Sequence, residues 1–168
     1  MAARPDVTGM AAAVDEHFMR LAIAKAMEGV RTGQSPYGAA VVRDGELLSC
    51  EHNVVLRTLD VAAHAEVQAL RVAAARLDTV DLTGSVLYST CEPCTMCFGA
   101  CNWAHVAKIV FGASIADSDT LGFREVRITN ETLRRLGGSR VELVGGVLRE
   151  ECLSIFTAWK SAGRDELY

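Results

Sequence analysis

The chain has 168 residues, 50% of them hydrophobic, with six cysteines and a formal net charge of −4. A chain of that size closes one core without disulfide staples, so a single domain is expected. Its longest apolar run falls far short of a membrane span, no basic-then-apolar leader opens it, and its acidic balance disfavours nucleic acid, whose binders carry a basic excess or stripe. Cysteines in a chain without an export signal point to the cytoplasm and to metal or core roles.

In chain order, residues 1–12 are small and Ala-rich and read as a flexible N-terminal extension, leaving 13–168 as the domain. A helix is predicted from 15 to about 31, with Phe18, Leu21 and Ala22 on its buried side, and the 33–38 segment with Pro36 breaks it. Two strands follow, 39–43 and 46–53, joined by Asp44-Gly45, a strong two-residue hairpin signal. After a loop come a helix over 64–77, a strand over 85–90, a helix over 94–104 and a strand over 108–111. The rest reads as a loop to about 125, a helix near 130–136, a strand at 140–144 and a last helix over about 148–159, before a polar tail. Helices alternating with short apolar strands predict an α/β fold, a three-layer α/β/α sandwich around a mixed five-stranded sheet.

Two short segments about thirty residues apart carry the chemistry: His64-Ala65-Glu66 and Pro93-Cys94-Thr95-Met96-Cys97. Cys94 and Cys97 share one face if their segment opens a helix, and Pro93 suits such an opening. A helix start also favours thiolate, the form that binds metal. His64 begins a second periodic run through Val67, Leu70, Ala74 and Leu77. Two helix starts facing one another can share a cation, with Glu66 near the fourth position without filling it. A structural zinc is closed by four protein ligands, whereas a catalytic zinc keeps a place for water, so three ligands and a spare carboxylate make a catalytic count. The pKa of such a water falls to roughly 7, and Glu66 would move its proton to a ring nitrogen and then to a departing amine, the steps of hydrolytic deamination.

Taken singly, one CxxC reads as a redox pair and one histidine at a helix start as a cap or core residue. Together, HxE upstream of PCxxC is the known signature of zinc-dependent nucleobase deaminases. Cys91 forms a second, overlapping CxxC with Cys94. Counting Cys91 or Cys101 as a ligand would close a four-ligand site, the competing reading of a non-catalytic zinc module. Cys91 precedes Pro93, where a strand should still be turning into the helix, so it is left out of the ligand set. Cys50, Cys101 and Cys152 read as buried thiols, and His17, His52 and His105 have no partner pattern.

Beyond the metal motif the chain carries Pro36-Tyr37-Gly38-Ala39 before the first strand, Asn53 at the end of the second, Ala63 before His64, and Ser89-Thr90-Cys91-Glu92 before Pro93. Gly99-Ala100, Trp103-Ala104, Gly122-Phe123 and a final tyrosine follow. On these residues, from 15 to the end, the chain resembles the cytidine deaminase superfamily, and within it the bacterial guanine deaminase type. The resemblance implies one Zn2+ per subunit on His64, Cys94 and Cys97 with a catalytic water, Glu66 as proton shuttle, and Glu125 as a second acid that helps a proton reach the leaving amine. It also implies a base pocket involving Tyr37, Asn53, Ala65 and Trp103, capped by Tyr168 from the partner of a homodimer with swapped C-terminal segments. Plainer roles stand beside these: Asn53 can close a strand-end turn, Trp103 can belong to the core, and Glu125 can be a solvated loop acid.

The metal motif leaves guanine, guanosine, cytosine, ammeline and adenosine in tRNA open as substrates. The acidic balance and the absence of a basic tail speak against tRNA. Against cytosine, related pyrimidine sites are closed by an acidic residue in the C-terminal helix, and Glu150 and Glu151 only begin that helix. Asn53 offers both a donor and an acceptor, which suits a purine edge with O6 and N7, and a wrong base would leave buried polar groups unpaired. The expected reaction is hydrolysis of guanine to xanthine and ammonia.

Overall fold

The layering follows from β1 (Gly38–Arg43), which is buried on both faces along nearly its whole length. The structure, a computed structural model, describes residues 7–163. Because successive side chains of a strand point to opposite faces, Ala40 and Val42 pack into one core with Phe18, Met19 and Ala22 of α1 (Val7–Arg31) and with Ile155, Phe156 and Trp159 of α7 (Arg149–Ser161). Ala39 and Val41 pack into the other, with Ala69, Leu70 and Ala73 of α3 (Ala65–Leu77) and Phe98 of α4 (Thr95–Trp103). Two helical layers therefore sandwich the sheet, as the alternation of elements predicts. Gly38 lets α1 lie directly on β1, since a Cβ there would run into the carbonyl oxygen of Ala22 and the backbone of Ala26.

The sheet has five strands in the order β2-β1-β3-β4-β5. β2 (Glu46–His52) and β3 (Val86–Cys91) both run antiparallel to β1, while β3, β4 (Lys108–Ala113) and β5 (Glu142–Gly145) run parallel. In the β1–β2 hairpin, Asp44 and Gly45 have φ of 53° and 77°, the paired positive values that a two-residue turn of this twist requires. The parallel pair sends the C-terminal ends of β3 and β4 to the same edge of the sheet, where open α/β sheets bind ligands. Tyr37, just before β1, reaches that edge too, because Ala39 pairs with Ser89 near the end of β3.

Three elements differ from expectation. α1 begins at Val7, so part of the segment expected to be a flexible extension is helical; the run Ala11-Ala12-Ala13 favours helix strongly. α2 (Val55–Thr58) and α5 (Ile115–Thr120) lie in stretches expected to be loops. Each is too short to show apolar periodicity. A side chain starts each one: Asn53 Oδ1 accepts from the Val55 N–H at 3.1 Å, and Ser114 and Asp117 form a reciprocal capping box. α6 (Asn130–Gly137) completes the chain's helices among the described residues.

Candidate active site

Two of the sequence-predicted ligands occupy equivalent positions on different helices. His64 is the N-cap of α3 and Cys94 the N-cap of α4, both with extended backbone, and neither side chain caps its own helix. Cys97 lies one turn into α4 and is fully buried. Nδ1 of His64 sits 3.7 Å from Cys94 Sγ and 3.6 Å from Cys97 Sγ. A tetrahedral centre with metal–sulfur bonds of about 2.3 Å and metal–nitrogen bonds of about 2.0–2.1 Å requires N···S separations of about 3.5–3.6 Å. The three donors thus fit one tetrahedral ion without rearrangement. Among the described residues they are the one group of three or more histidine, cysteine or carboxylate donors close enough to share a metal. Cys91 and Cys101 stand outside it, and among the described residues no fourth histidine, cysteine or carboxylate joins the group.

The charges respond to this crowding. Hydrogen bonding from Cys97, and then from His64, holds the Cys94 thiol down at about 4 against the opposing cost of burial. Its partner Cys97 is pushed well up by sharing that proton and by burial. Metal binding takes both sulfurs as thiolates. Burial works against the His64 imidazolium, but its contacts with Cys94 and Glu66 outweigh that and raise it.

Glu66 stands in the first turn of α3 and is buried. One carboxylate oxygen accepts from Ser89 Oγ at 3.2 Å and the other from the Cys97 thiol at 3.5 Å. Burial raises its pKa above the ordinary carboxylate value. A cavity of about 230 Å³ opens in front of it, lined by Tyr37, His64, Glu66, Cys91, Glu92, Cys94, Phe123, Arg124 and Glu125.

Glu125 reaches this cavity from the segment between α5 and α6. Its Oε1 accepts from Ser118 Oγ at 2.9 Å, and Ser118 Oγ lies 2.8 Å from the Tyr37 hydroxyl. Since the single Ser118 proton is committed to the carboxylate, Tyr37 donates to Ser118. Burial raises Glu125 also, with the Ser118 hydrogen bond pulling the other way. Two carboxylates with raised pKa values therefore face one space beside the metal-ligand triad. Tyr37 is held edge-on between Phe123 and Phe156, at ring-centroid distances of 5.3 and 5.6 Å.

The remaining expected site residues lie elsewhere. Asn53 is 1% exposed, and its Oδ1 is engaged in the turn into α2; it neighbours Tyr37 through a backbone hydrogen bond of 3.1 Å but does not line the cavity. Ala65 is fully buried in the core under α3. Trp103 is 83% exposed and borders a shallow apolar groove with Val67, Leu70, Val80 and Ala100. At 3.6 residues per turn Trp103 lies about 180° around α4 from Cys94 and about 240° from Cys97, so it points away from the metal ligands. Tyr168 lies outside the described residues. Glu92, Arg124 and Ser118 were not singled out as site residues in the sequence, and Cys91 was weighed only as a metal ligand. Cys91 and Glu92 sit inside the recognised metal motif, while only the Ser114-x-x-Asp117 capping pattern marks the helix that carries Ser118.

Residues 12–113 match the family model for the cytidine and deoxycytidylate deaminase zinc-binding region, and the chain belongs to that family. Its relatives divide by substrate. It is similar to the guanine deaminase of Bacillus subtilis (strain 168), 34% identical over 154 residues covering 91% of this chain and 98% of the relative. It is similar as well to the tRNA-specific adenosine deaminase of the same organism, 36% identical over 145 residues, 86% and 88% of the two chains. Among solved structures, the guanine deaminase from Nitrosomonas europaea matches with a TM-score of 0.80 at 29% identity, over 87% of this chain and 84% of that one.

Proposed function

We propose that this chain is a zinc-dependent aminohydrolase that converts a free nucleobase, guanine first, to its oxo product, xanthine, with release of ammonia. The observation that supports it most is the pair of carboxylates, Glu66 and Glu125, lining one cavity with His64 and Cys94. Hydrolytic deamination needs two proton deliveries, one to the ring and one to an amine that leaves poorly as an anion. Zinc held by His64 Nδ1 and the two sulfurs would supply a water acidic enough to lose a proton near neutrality. Glu66, with its raised pKa, takes a proton from the attacking water and returns it to a ring nitrogen. Glu125 carries the second proton to the leaving amine. Tyr37 and Phe123 present aromatic edges and faces to a planar ring. Asn53 shapes the base site indirectly, through its backbone hydrogen bond to Tyr37, and Ala65 through the packing behind Glu66.

The proposal includes a homodimer with exchanged C-terminal segments, in which Tyr168 of one subunit caps the pocket of the other and Trp103 lies at the contact between them. Trp103 and Val80, 83% and 81% exposed around an apolar groove, support such a contact. Trp103→Ala should shift the sedimentation of the full chain from dimer towards monomer; unchanged sedimentation removes Trp103 from the interface. A cytoplasmic setting suits six unpaired thiols, and no helix among the described residues is long and apolar enough to cross a membrane.

Adenosine in tRNA is the second reading, favoured by similarity to the tRNA-specific deaminases and opposed by the net charge of −4. Ammonia release from the zinc-loaded protein with guanine, guanosine, cytosine, adenine, ammeline and tRNA separates these. Release from guanine alone is expected. Release from tRNA alone would overturn the free-base reading and keep the chemistry.

A further inference from the structure

We propose that Glu92 is a positioning residue that fixes Glu125 relative to the metal ligands. This rests on the deaminase reading above, but its geometry stands apart from the substrate. Glu92 is buried, and its two carboxylate oxygens are taken by two different backbone N–H groups. Oε1 accepts from Asn130 N–H at 2.7 Å and Oε2 from Ile115 N–H at 3.2 Å. Ile115 is the first residue of α5 and Asn130 the first residue of α6.

One carboxylate therefore holds the starts of both helices that bracket Glu125. The first N–H groups of a helix have no partner within it and lie at its positive end, so a buried carboxylate is a favourable partner for each. Glu92 is itself fixed, since its N–H donates to Ala113 O at the end of β4 at 2.8 Å. Asn130 returns a second tie, its Nδ2 donating to Pro93 O at 2.6 Å. The same stretch runs directly into Cys94. Metal ligand, carboxylate clasp and the Glu125 segment are thus joined within a few bonds, and Ser118, which holds Glu125, rides on the clasped α5. Both Glu92 oxygens face main-chain donors, which leaves it a placing function rather than a proton-transfer one.

The test uses the zinc-loaded full chain and two variants that break the clasp from opposite sides. Glu92→Gln turns one acceptor into an amide that faces an N–H. Ile115→Pro removes one donor and keeps Glu92; proline is tolerated at a first helical position, and Ser114 already has the extended backbone that a following proline requires. Three quantities are read: zinc content, amide exchange over 115–130 against α3 and α4, and kcat alone and in a Glu125→Gln background. Both variants should keep one zinc per chain and exchange faster over 115–130 only. With the substrate that wild type turns over fastest, Glu92→Gln should lower kcat about tenfold beside Glu125 and less than about twofold beside Gln, the coupling expected of residues that act as one unit. Unchanged exchange, zinc loss, or equal kcat losses in both backgrounds would overturn the proposal. Silence of wild type on every base would instead sink the free-base reading, and the exchange data would still decide whether Glu92 holds the segment.

Discussion

The two walls of the cavity are built by different means. His64, Glu66, Cys94 and Cys97 stand at the starts of α3 and α4, each placed by backbone within a few residues of its neighbour. Glu125 stands in a segment without regular structure, and its placement depends on Ser118, Tyr37 and Glu92. The metal wall is local in sequence and anchored on two core helices. The Glu125 wall is a product of tertiary hydrogen bonds. Substitutions on the first should act as all or none, and those on the second should act by degrees.

The sharpest break in this comparison is Glu66→Gln. The amide keeps an acceptor for Ser89 and leaves the three donors untouched, but it cannot carry a proton. Turnover should fall by about 10²–10⁴-fold, the usual worth of a positioned acid–base group, with zinc content unchanged. Near-wild-type ammonia release from this variant would remove Glu66 from the mechanism. Removing the metal acts on the same wall through stability. A ligand at a hundred times its dissociation constant stabilises by about 2.7 kcal/mol, which for a domain of this size is a Tm change of about 5–10 °C. A chelator should lower the melting temperature by that much and abolish activity, and re-addition of zinc should restore both.

Glu125→Gln comes next, with an expected loss of about a hundredfold in kcat, the low end of acid–base catalysis. Its stability should move the other way. Burial raises the folded pKa of Glu125 above its unfolded value. As pH rises, the unfolded chain therefore releases this proton first, and the stability present below the ordinary carboxylate range is lost as pH climbs through the raised value. The glutamine variant escapes that loss. It should be more stable than wild type near neutrality and above, with the difference vanishing in acid. Denaturant unfolding across pH measures this, and a difference that grows in acid would contradict the burial argument.

The same contrast sets how much could be read from the chain. HxE and PCxxC were legible because their geometry is a matter of helix starts and three-residue spacing, and the Asp44-Gly45 hairpin was legible because its turn needs two positive φ values. Trp103 reads in the sequence as a pocket or a core residue and is neither in this chain, being 83% exposed; helical periodicity counted from Cys94 accounts for its direction. Asn53 shows the ambiguity of short polar residues, for its carbonyl oxygen serves the turn into α2. Glu92 and Ser118 could not be read at all. The partners of Glu92 lie 23 and 38 residues along the chain and Ser118 reaches Tyr37, 81 residues back, and no local pattern distinguishes a carboxylate that clasps two helix starts from one in solvent.

The smallest expected effect tests the outer part of the Glu125 wall. Ser118→Ala removes the hydroxyl that bridges Tyr37 and Glu125. A lost hydrogen bond of this kind costs about 0.5–1.5 kcal/mol, equivalent to about a twofold to thirteenfold fall in kcat if it acts wholly on the placement of Glu125. The bond also favours the ionised carboxylate, so its removal should raise the Glu125 pKa further and carry the matching limb of the pH–rate profile to higher pH. Tyr37→Phe leaves Ser118 on Glu125 and takes away only the outer link, so its shift should run in the same direction and be smaller. A Tyr37 effect larger than that of Ser118 would mean that the tyrosine hydroxyl meets the substrate directly, and the bridge would then be secondary to that contact.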